Sequence, residues 1–553
     1  MKTFSKAIMA GMMIAISVMP GLRAMAQSDP KPAIVISMAP IEEQMKDIGY
    51  ITDASGFGQM SFLIKMQIEQ FLKGIDTEKP SGMFLYFEEN EEEPNGLAFL
   101  PITNIDDFLN TVSQYAKVDE GNDFTTIIPT NGQELLMKQI GDYAYFAERE
   151  EMFENINSDP AEMVGDLPEQ YNMGARIFAQ RIPESMREMW LDTIEDGYND
   201  SMGDLGGIPS EIQEKNFEMQ METFRSLINE TEEVVIGFAA DKELESMYFD
   251  MKLVGLDGSK MAEDSAAQQG IKPSNFAGLL SIKDALFTAN LCGELGESEK
   301  EIYSNMIESS RDEIFKELND SDFSDKELDQ MESIVEDLLK VAADTVKDGR
   351  MDGGMVVTGA EKVEFAFGMQ VTDAVRLEEA VQDLVKFAEA EPEFTEFVEF
   401  NLNSGKVGEM RLHEIVIQLA DANPDMAEVM GDEFTVLLAV GQNEVFVVGS
   451  SEGPMELMKL ATEPSDAQPD DLYAMQYNMY LAPMLELSSK VDGNEITQEM
   501  AEKLAESGKD RIRLDFEWIK NGIQGRLDIQ DGVLELFSVA MQNLGGMGGG
   551  AEF

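Results

Sequence analysis

The sequence predicts an α+β protein of two tandem similar units, each an antiparallel sheet covered by helices mainly on one face. Three observations predict it. Strand-length alternating segments recur in pairs joined by turns, longer stretches with apolar residues at helical spacing lie between them, and six segments of the first half return in the same order in the second. The regular strand and helix alternation of a parallel sheet is missing.

Residues 1–26 come first and have the pattern of a secretory signal peptide. Lys2 and Lys6 give a positive start, residues 8–19 a short apolar run, Pro20 and Gly21 a break, and Ala24-Met25-Ala26 a cleavage site before Gln27. A run of twelve residues is too short to span a bilayer as a helix. The expected address is therefore export, to periplasm or medium, after cleavage near Ala26.

Unit one is expected over residues 33–262. Residues 83–88 and 97–102 flank an acidic loop with the turn tripeptide Pro94-Asn95-Gly96, which predicts a hairpin. Residues 105–112 then carry apolar side chains at helical spacing. Residues 263–284 are read as a linker and the start of unit two, because 257–274 are small, polar and interrupted by Pro273. Unit two spans residues 285–543, and the Gly-rich residues 544–553 form a flexible tail with no side chains to pack.

The repeats set Gly82-Met83-Phe84-Leu85-Tyr86 against Gly354-Met355-Val356-Val357-Thr358, and Ile102-Thr103-Asn104 against Val371-Thr372-Asp373. They also set residues 141–147 against 441–447, 175–182 with Pro183 against 475–482 with Pro483, and the closing hairpin 234–256 against 512–536. The longest predicted helix covers residues 325–346, where Leu328, Met331, Ile334, Val335, Leu338, Leu339, Val341 and Ala342 form one stripe. Ser324 and Glu327 supply its capping box.

Composition excludes several partners. At 553 residues with 43% hydrophobic side chains the chain can bury more than one core, yet its net charge is −66. Cleavage after Ala26 would remove three cations and no acid, leaving −69. Such a field repels nucleic acid phosphates and anionic membrane surfaces, and it condenses divalent cations loosely and without a specific site.

Cysteine and histidine narrow the chemistry further. With Cys292 alone there is no intramolecular disulfide, no Cys-x-x-Cys site and no lipidated N-terminal Cys. His413 is the single histidine, which removes His-x-x-x-His zinc sites; it lies in what reads as the start of a strand and is expected to be structural.

Acidic clusters invite a calcium reading and fail it. Residues 320–331 have Asp325 where an EF-hand needs Gly and Met331 where it needs Glu, and residues 488–499 place Ser488 and Lys490 at ligand positions. Met219, Met221, Met186 and Met189 lack a supporting His or Cys, so core filling is expected over copper. Phosphate-cradling loops and the G-x-S-x-G elbow are absent, and the sequence implies no cofactor and no metal. The 107 acids distinguish no catalytic pair, and Trp190 and Trp518 are few platforms for sugar rings.

The succession of signal peptide, residues 99–112 (FLPITNIDDFLNTV), 141–148 (GDYAYFAE) and 273–280 (PSNFAGLL) resembles large secreted proteins of planctomycete-type bacteria, which are known only as uncharacterised signal-peptide proteins. The resemblance implies export and carries no activity or site residues. The expected function is thus an exported, soluble, non-catalytic binding or structural protein with an envelope protein as its expected partner. The alternatives are an exported hydrolase using paired carboxylates and a carrier of an apolar ligand.

Overall fold

Alternation of buried and half-buried residues along Ile34–Met38 makes this segment strand β1, and its two sides are both occupied, since Ile36 stands opposite Met83 on one and Ala175 on the other. The computed structural model describes residues 31–536 apart from 89–93, 130–133, 155, 157–158, 203–220, 222–223, 269–273, 320, 322, 360–361, 391–394 and 464–472. The signal-peptide pattern of residues 1–26 and the Gly-rich residues 544–553 lie outside the described residues. The fold is α+β with antiparallel pairing throughout, in two compact units, one of Met1–Ala262 with Asn521–Phe553 and one of Glu263–Lys520.

In unit one, β1 is followed by helices α1 (Ile41–Ala54) and α2 (Gly58–Glu69), then β2 (Ser81–Tyr86) and β3 (Asn95–Pro101), which pair antiparallel; Asn95 and Gly96, expected in the turn, instead pair with Tyr86 and Leu85. Helix α3 (Ile105–Val112) starts at Asn104, whose side chain accepts the Asp107 N–H at 3.2 Å. Strands β4 (Ala116–Glu120), β5 (Thr125–Pro129), β6 (Leu135–Ile140), β7 (Tyr143–Ala147) and β8 (Met173–Phe178) follow, then helix α4 (Glu184–Met202) and the long hairpin β9 (Thr231–Asp241) and β10 (Ser246–Gly255). The strand order is 4-5-6-7-3-2-1-8-9-10, and β20 (Gly522–Gln530) lies beyond β10.

Both faces of this sheet carry cover, where the sequence reading expected it mainly on one. Tyr145 packs on Phe99, Val164 and Leu167, whereas its neighbour Phe146 packs on Phe108 of α3. Successive strand residues point to opposite faces, so all five residues of β7 are buried.

In unit two the segment expected as a linker is partly helical. Its small residues let α5 (Lys260–Gln268) pack closely, with the Ser265 hydroxyl donating to the Ile519 carbonyl and the Gln268 side chain accepting the Glu294 N–H at 2.9 Å. Then come β11 (Ala285–Glu294), helices α6 (Glu297–Asn319) and α7 (Asp325–Asp348), β12 (Arg350–Thr358), β13 (Glu364–Gln370) and helix α8 (Ala374–Glu389). Strands β14 (Val398–Val407), β15 (Met410–Gln418), β16 (Glu433–Val440) and β17 (Glu444–Ser450) precede helix α9 (Pro454–Thr462) and β18 (Met475–Tyr480). Helices α10 (Leu481–Asp492) and α11 (Glu495–Ser507) lead into β19 (Arg511–Ile519).

The order in unit two is 14-15-16-17-13-12-11-18-19. Its core gathers Phe276, Leu279, Val356, Ala366, Leu437, Phe446 and Val448 under Leu457 and Met458 of α9. Helix α7 carries the expected capping box: the Ser324 N–H donates to Glu327 at 2.7 Å and the Ser324 hydroxyl accepts the Glu327 N–H. It ends on Gly349 at φ +87°, a left-handed turn that glycine adopts without strain. Strand β20, which the sequence reading grouped with the second unit, falls in the first. Among the described residues no helix is long and apolar enough to cross a membrane.

Candidate functional site

Strands β11, β12, β13 and β18 present an apolar surface in unit two. Direct pairing puts Ala289 opposite Met355 and Tyr477, Leu291 opposite Gly353, Met355 opposite Phe367, and Gly353 opposite Met369, so these side chains share one face. Gly353 contributes no side chain at the centre, and Thr345 and Val346 at the end of α7 form a wall. The result is a half-open cavity of about 260 Å³. Phe367 is 38% exposed and Met369 37%, although both belong to central strands.

That volume lies between a cavity of about 150 Å³ that holds benzene and pockets of about 300 Å³ or more for drug-sized ligands. The opposite face of the same strands is closed. A Cβ on Gly368 would stand 2.4 Å from the Phe276 ring, which shows how tightly that ring lies on the backbone. A second hollow of about 350 Å³ has charged walls of both signs, with Lys283, Lys362, Asp284 and Glu456 among them.

Unit one carries an exposed apolar surface on β8, β9 and β10. Met173 stands opposite Phe238, Phe238 opposite Phe249, and Ile236 opposite Met251. Met173, Ile236, Phe249 and Met251 are each 45 to 55% exposed, and the Phe238 and Phe249 rings lie 4.9 Å apart.

Among the described residues every buried carboxylate faces an arginine. Asp250 takes the two-pronged Arg526 guanidinium at 2.7 Å on each oxygen and the Tyr171 hydroxyl at 3.1 Å, with Arg526 also 4.1 Å over the Tyr248 ring. Burial, then Asp250, pushes the Tyr171 phenol up. Asp352 accepts from Arg350 at 3.0 Å, from the Asn275 N–H at 3.1 Å and from the Ser274 hydroxyl. Asp515 pairs with Arg513 at 2.7 Å, and Glu378 with Arg411.

Cys292 is buried and accepts from Arg350 at 3.2 Å; burial, followed by the charge of Asp352, pushes its thiol up to about 11. Such a thiol is poorly nucleophilic. His413, 2% exposed in β15, faces Glu378 at 3.0 Å through Nε2 and accepts the Asn403 N–H at 3.2 Å through Nδ1.

The remaining residues singled out from sequence do not converge. Met186 is buried while Met189 is 45% exposed, Met221 is buried, and Met219 lies outside the described residues, as do Asp320 and Asp322. Residues 488–492 end α10, Gly493 at φ +64° caps it, and Asn494 caps α11 by accepting the Ile496 N–H at 3.0 Å. Among the described residues no group of three or more His, Cys, Asp or Glu could hold a metal ion. Sequence reasoning missed the cavity, whose signal was apolar residues at both odd and even positions of β12 and β13 around a Gly-Gly pair. No protein-family model, curated protein or solved structure matches this chain.

Proposed function

We propose that this is an exported, non-catalytic binding protein, built by tandem duplication, that holds an apolar ligand in the cavity of its second unit. The observation that carries the reading is the row of register-paired apolar side chains left half-exposed around Gly353. Apolar surface in water costs about 25 cal/mol per Å², so covering this floor is favourable, and contiguous exposed apolar patches mark interaction sites. Methionine on the wall suits a ligand of loose shape requirements, because its side chain repacks at little cost.

The arginine paired with each buried carboxylate among the described residues supports a non-catalytic role over a hydrolase. Export rests on the pattern of residues 1–26. The acidic chain suits no nucleic acid and no anionic membrane surface; an envelope protein is the partner we expect, with divalent cations condensed loosely around it. Duplication is supported by strand order: with each of β1 to β9 set against β11 to β19, the succession is the same in both units. Asn104 and Asp373 also cap the matching helices α3 and α8.

The test is titration of the purified protein with N-phenyl-1-naphthylamine, a probe that brightens in apolar sites. Saturable binding displaced by decanoate is expected, and Ala289→Phe, which puts a ring on the floor, should weaken it at least tenfold with unchanged circular dichroism. No saturable binding, or full binding by the variant, would overturn the cavity. The export reading stands or falls separately on whether the secreted chain begins at Gln27.

A further inference from the structure

We infer that the exposed apolar face of β8, β9 and β10 in unit one is the docking surface for a basic amphipathic helix of a partner protein. Met173, Ile236, Phe249 and Met251 stand 45 to 55% exposed on it, around the Phe238 ring. On this side the alternate residues of β9 from Val234 to Ala240, and of β10 from Met247 to Leu253, are all apolar. No charge interrupts them. Beyond β10 the face continues onto β20, where Leu527 stands opposite Phe249 and Gly525 opposite Met251. Three strands about 4.8 Å apart span about 10 Å, which is the width of one helix with its side chains. Methionines at the corners let such a face accept helices of different sequence.

Charge decides the kind of helix. At one end of the face β9 and β10 are joined by the turn 242–245, where Asp241, Glu243 and Glu245 outnumber Lys242. Asp531 is tied to that turn by its N–H, which donates to the Glu245 carbonyl at 2.9 Å, and Asp47 of α1 accepts from Asn172, the neighbour of Met173. Burial first, and then the charges of Asp531, Glu245 and Asp241, push the Tyr50 phenol up, so these three carboxylates act on one point. Leu244, 59% exposed at the tip of the turn, sets another apolar side chain among the acids.

An apolar floor with an acidic end matches a helix with leucine-like residues on one side and Lys or Arg flanking them. A second copy of this chain matches it poorly, since each copy carries a net charge of −66 and would bring the same acidic turn to the contact. Anionic lipid is repelled for the same reason. The inference uses residues of unit one alone, so it stands or falls apart from the cavity of unit two.

An anisotropy titration of the whole protein with a fluorescein-labelled amphipathic helix of leucine and lysine tests this. Saturable binding at one site is expected, weakened at least tenfold between 0.05 and 0.5 M salt. Phe249→Glu makes the chain more acidic, so attraction by charge alone would tighten the complex; breaking the apolar face should instead weaken it at least tenfold. Should that variant fail to fold, Met251→Glu, at a side chain already 47% exposed, should give the same loss. Glu243→Lys should weaken binding severalfold, and Ala289→Phe in unit two should leave it unchanged. The proposal is overturned by an absence of saturable binding, by full binding to the folded glutamate variant, by loss of binding in Ala289→Phe, or by equal binding of a leucine and glutamate helix. A dimer of the free protein that sedimentation detects and Phe249→Glu dissolves would also overturn it, because a second copy would then own the face.

Discussion

The exposed apolar faces of the two units lie on different strands of the order they share, β8, β9 and β10 in unit one and β11, β12, β13 and β18 in unit two. In unit two, Gly353 leaves a gap between Leu291 and Met369, and the end of α7 walls it. In unit one the middle is filled by the Phe238 and Phe249 rings, and Met251 faces Gly525 at the next strand. A cavity needs a missing side chain and a wall; a patch needs only uncovered ones. The comparison teaches that one strand order can leave apolar side chains uncovered at different strands, as a hollow around Gly353 in unit two and as a patch of paired rings in unit one.

The units also differ in how they are locked. Unit one clasps β20 to β10 through Asp250 and Arg526, with the fully buried partner being the carboxylate. In unit two the buried carboxylates Glu378 and Asp352 pair locally, Glu378 with Arg411 and His413 within 35 residues and Asp352 with Arg350 two residues away. Arg526→Leu should therefore have the largest effect, about 3 to 5 kcal/mol, since it strands a buried charge. Trp190 reports unit one and Trp518 unit two, so single-tryptophan forms in urea can separate the transitions. Unit one should melt earlier and unit two unchanged; equal shifts in both would break the comparison.

Cys292 sharpens it from the other side, because it belongs to unit two alone. Its thiol, raised to about 11 by burial and then by Asp352, should react with a disulfide reagent at pH 8 only when unit two opens. The sign follows from the raised value. Between about 8.5, the ordinary thiol value, and about 11 the unfolded chain loses its proton first, so this contribution to stability is full below that window and gone above it. Urea curves for Trp518 at pH 8 and 10 should show the loss, and Cys292→Ser should remove it. Fast labelling of the native protein would show that the sheet face around Asp352 is open.

How much of this was legible in the chain depends on range. Local signals were readable at helix starts, Ser324 with Glu327 and the matching Asn104 and Asp373, whereas Asn95 and Gly96, read as a turn, are paired residues of β3. Contacts set by topology were not, since Arg526 and Asp250 lie 276 residues apart and neither neighbourhood announces a partner. His413 was read as structural from its strand, but its bond to Glu378 depends on α8 crossing β15, which no spacing encodes. The cavity escaped because apolar residues on both faces of a strand normally mean burial on both.

The smallest effect tests whether the cavity wall is held independently of the rest of its helix. Ser324→Ala removes the capping hydroxyl of α7 and should cost about 1 kcal/mol, seen only in the Trp518 transition. The wall sits at the other end, some twenty residues and about 30 Å away at 1.5 Å per residue. There Gly349 caps the helix, the Thr345 hydroxyl donates to the Val341 carbonyl at 2.8 Å, and it accepts the Thr372 N–H at 3.0 Å. These bonds do not involve the first turn. Probe affinity should therefore stay within twofold of the wild type while stability falls. A parallel loss of both would mean that the hollow in unit two depends on the whole length of α7 rather than on the bonds at its C-terminal end.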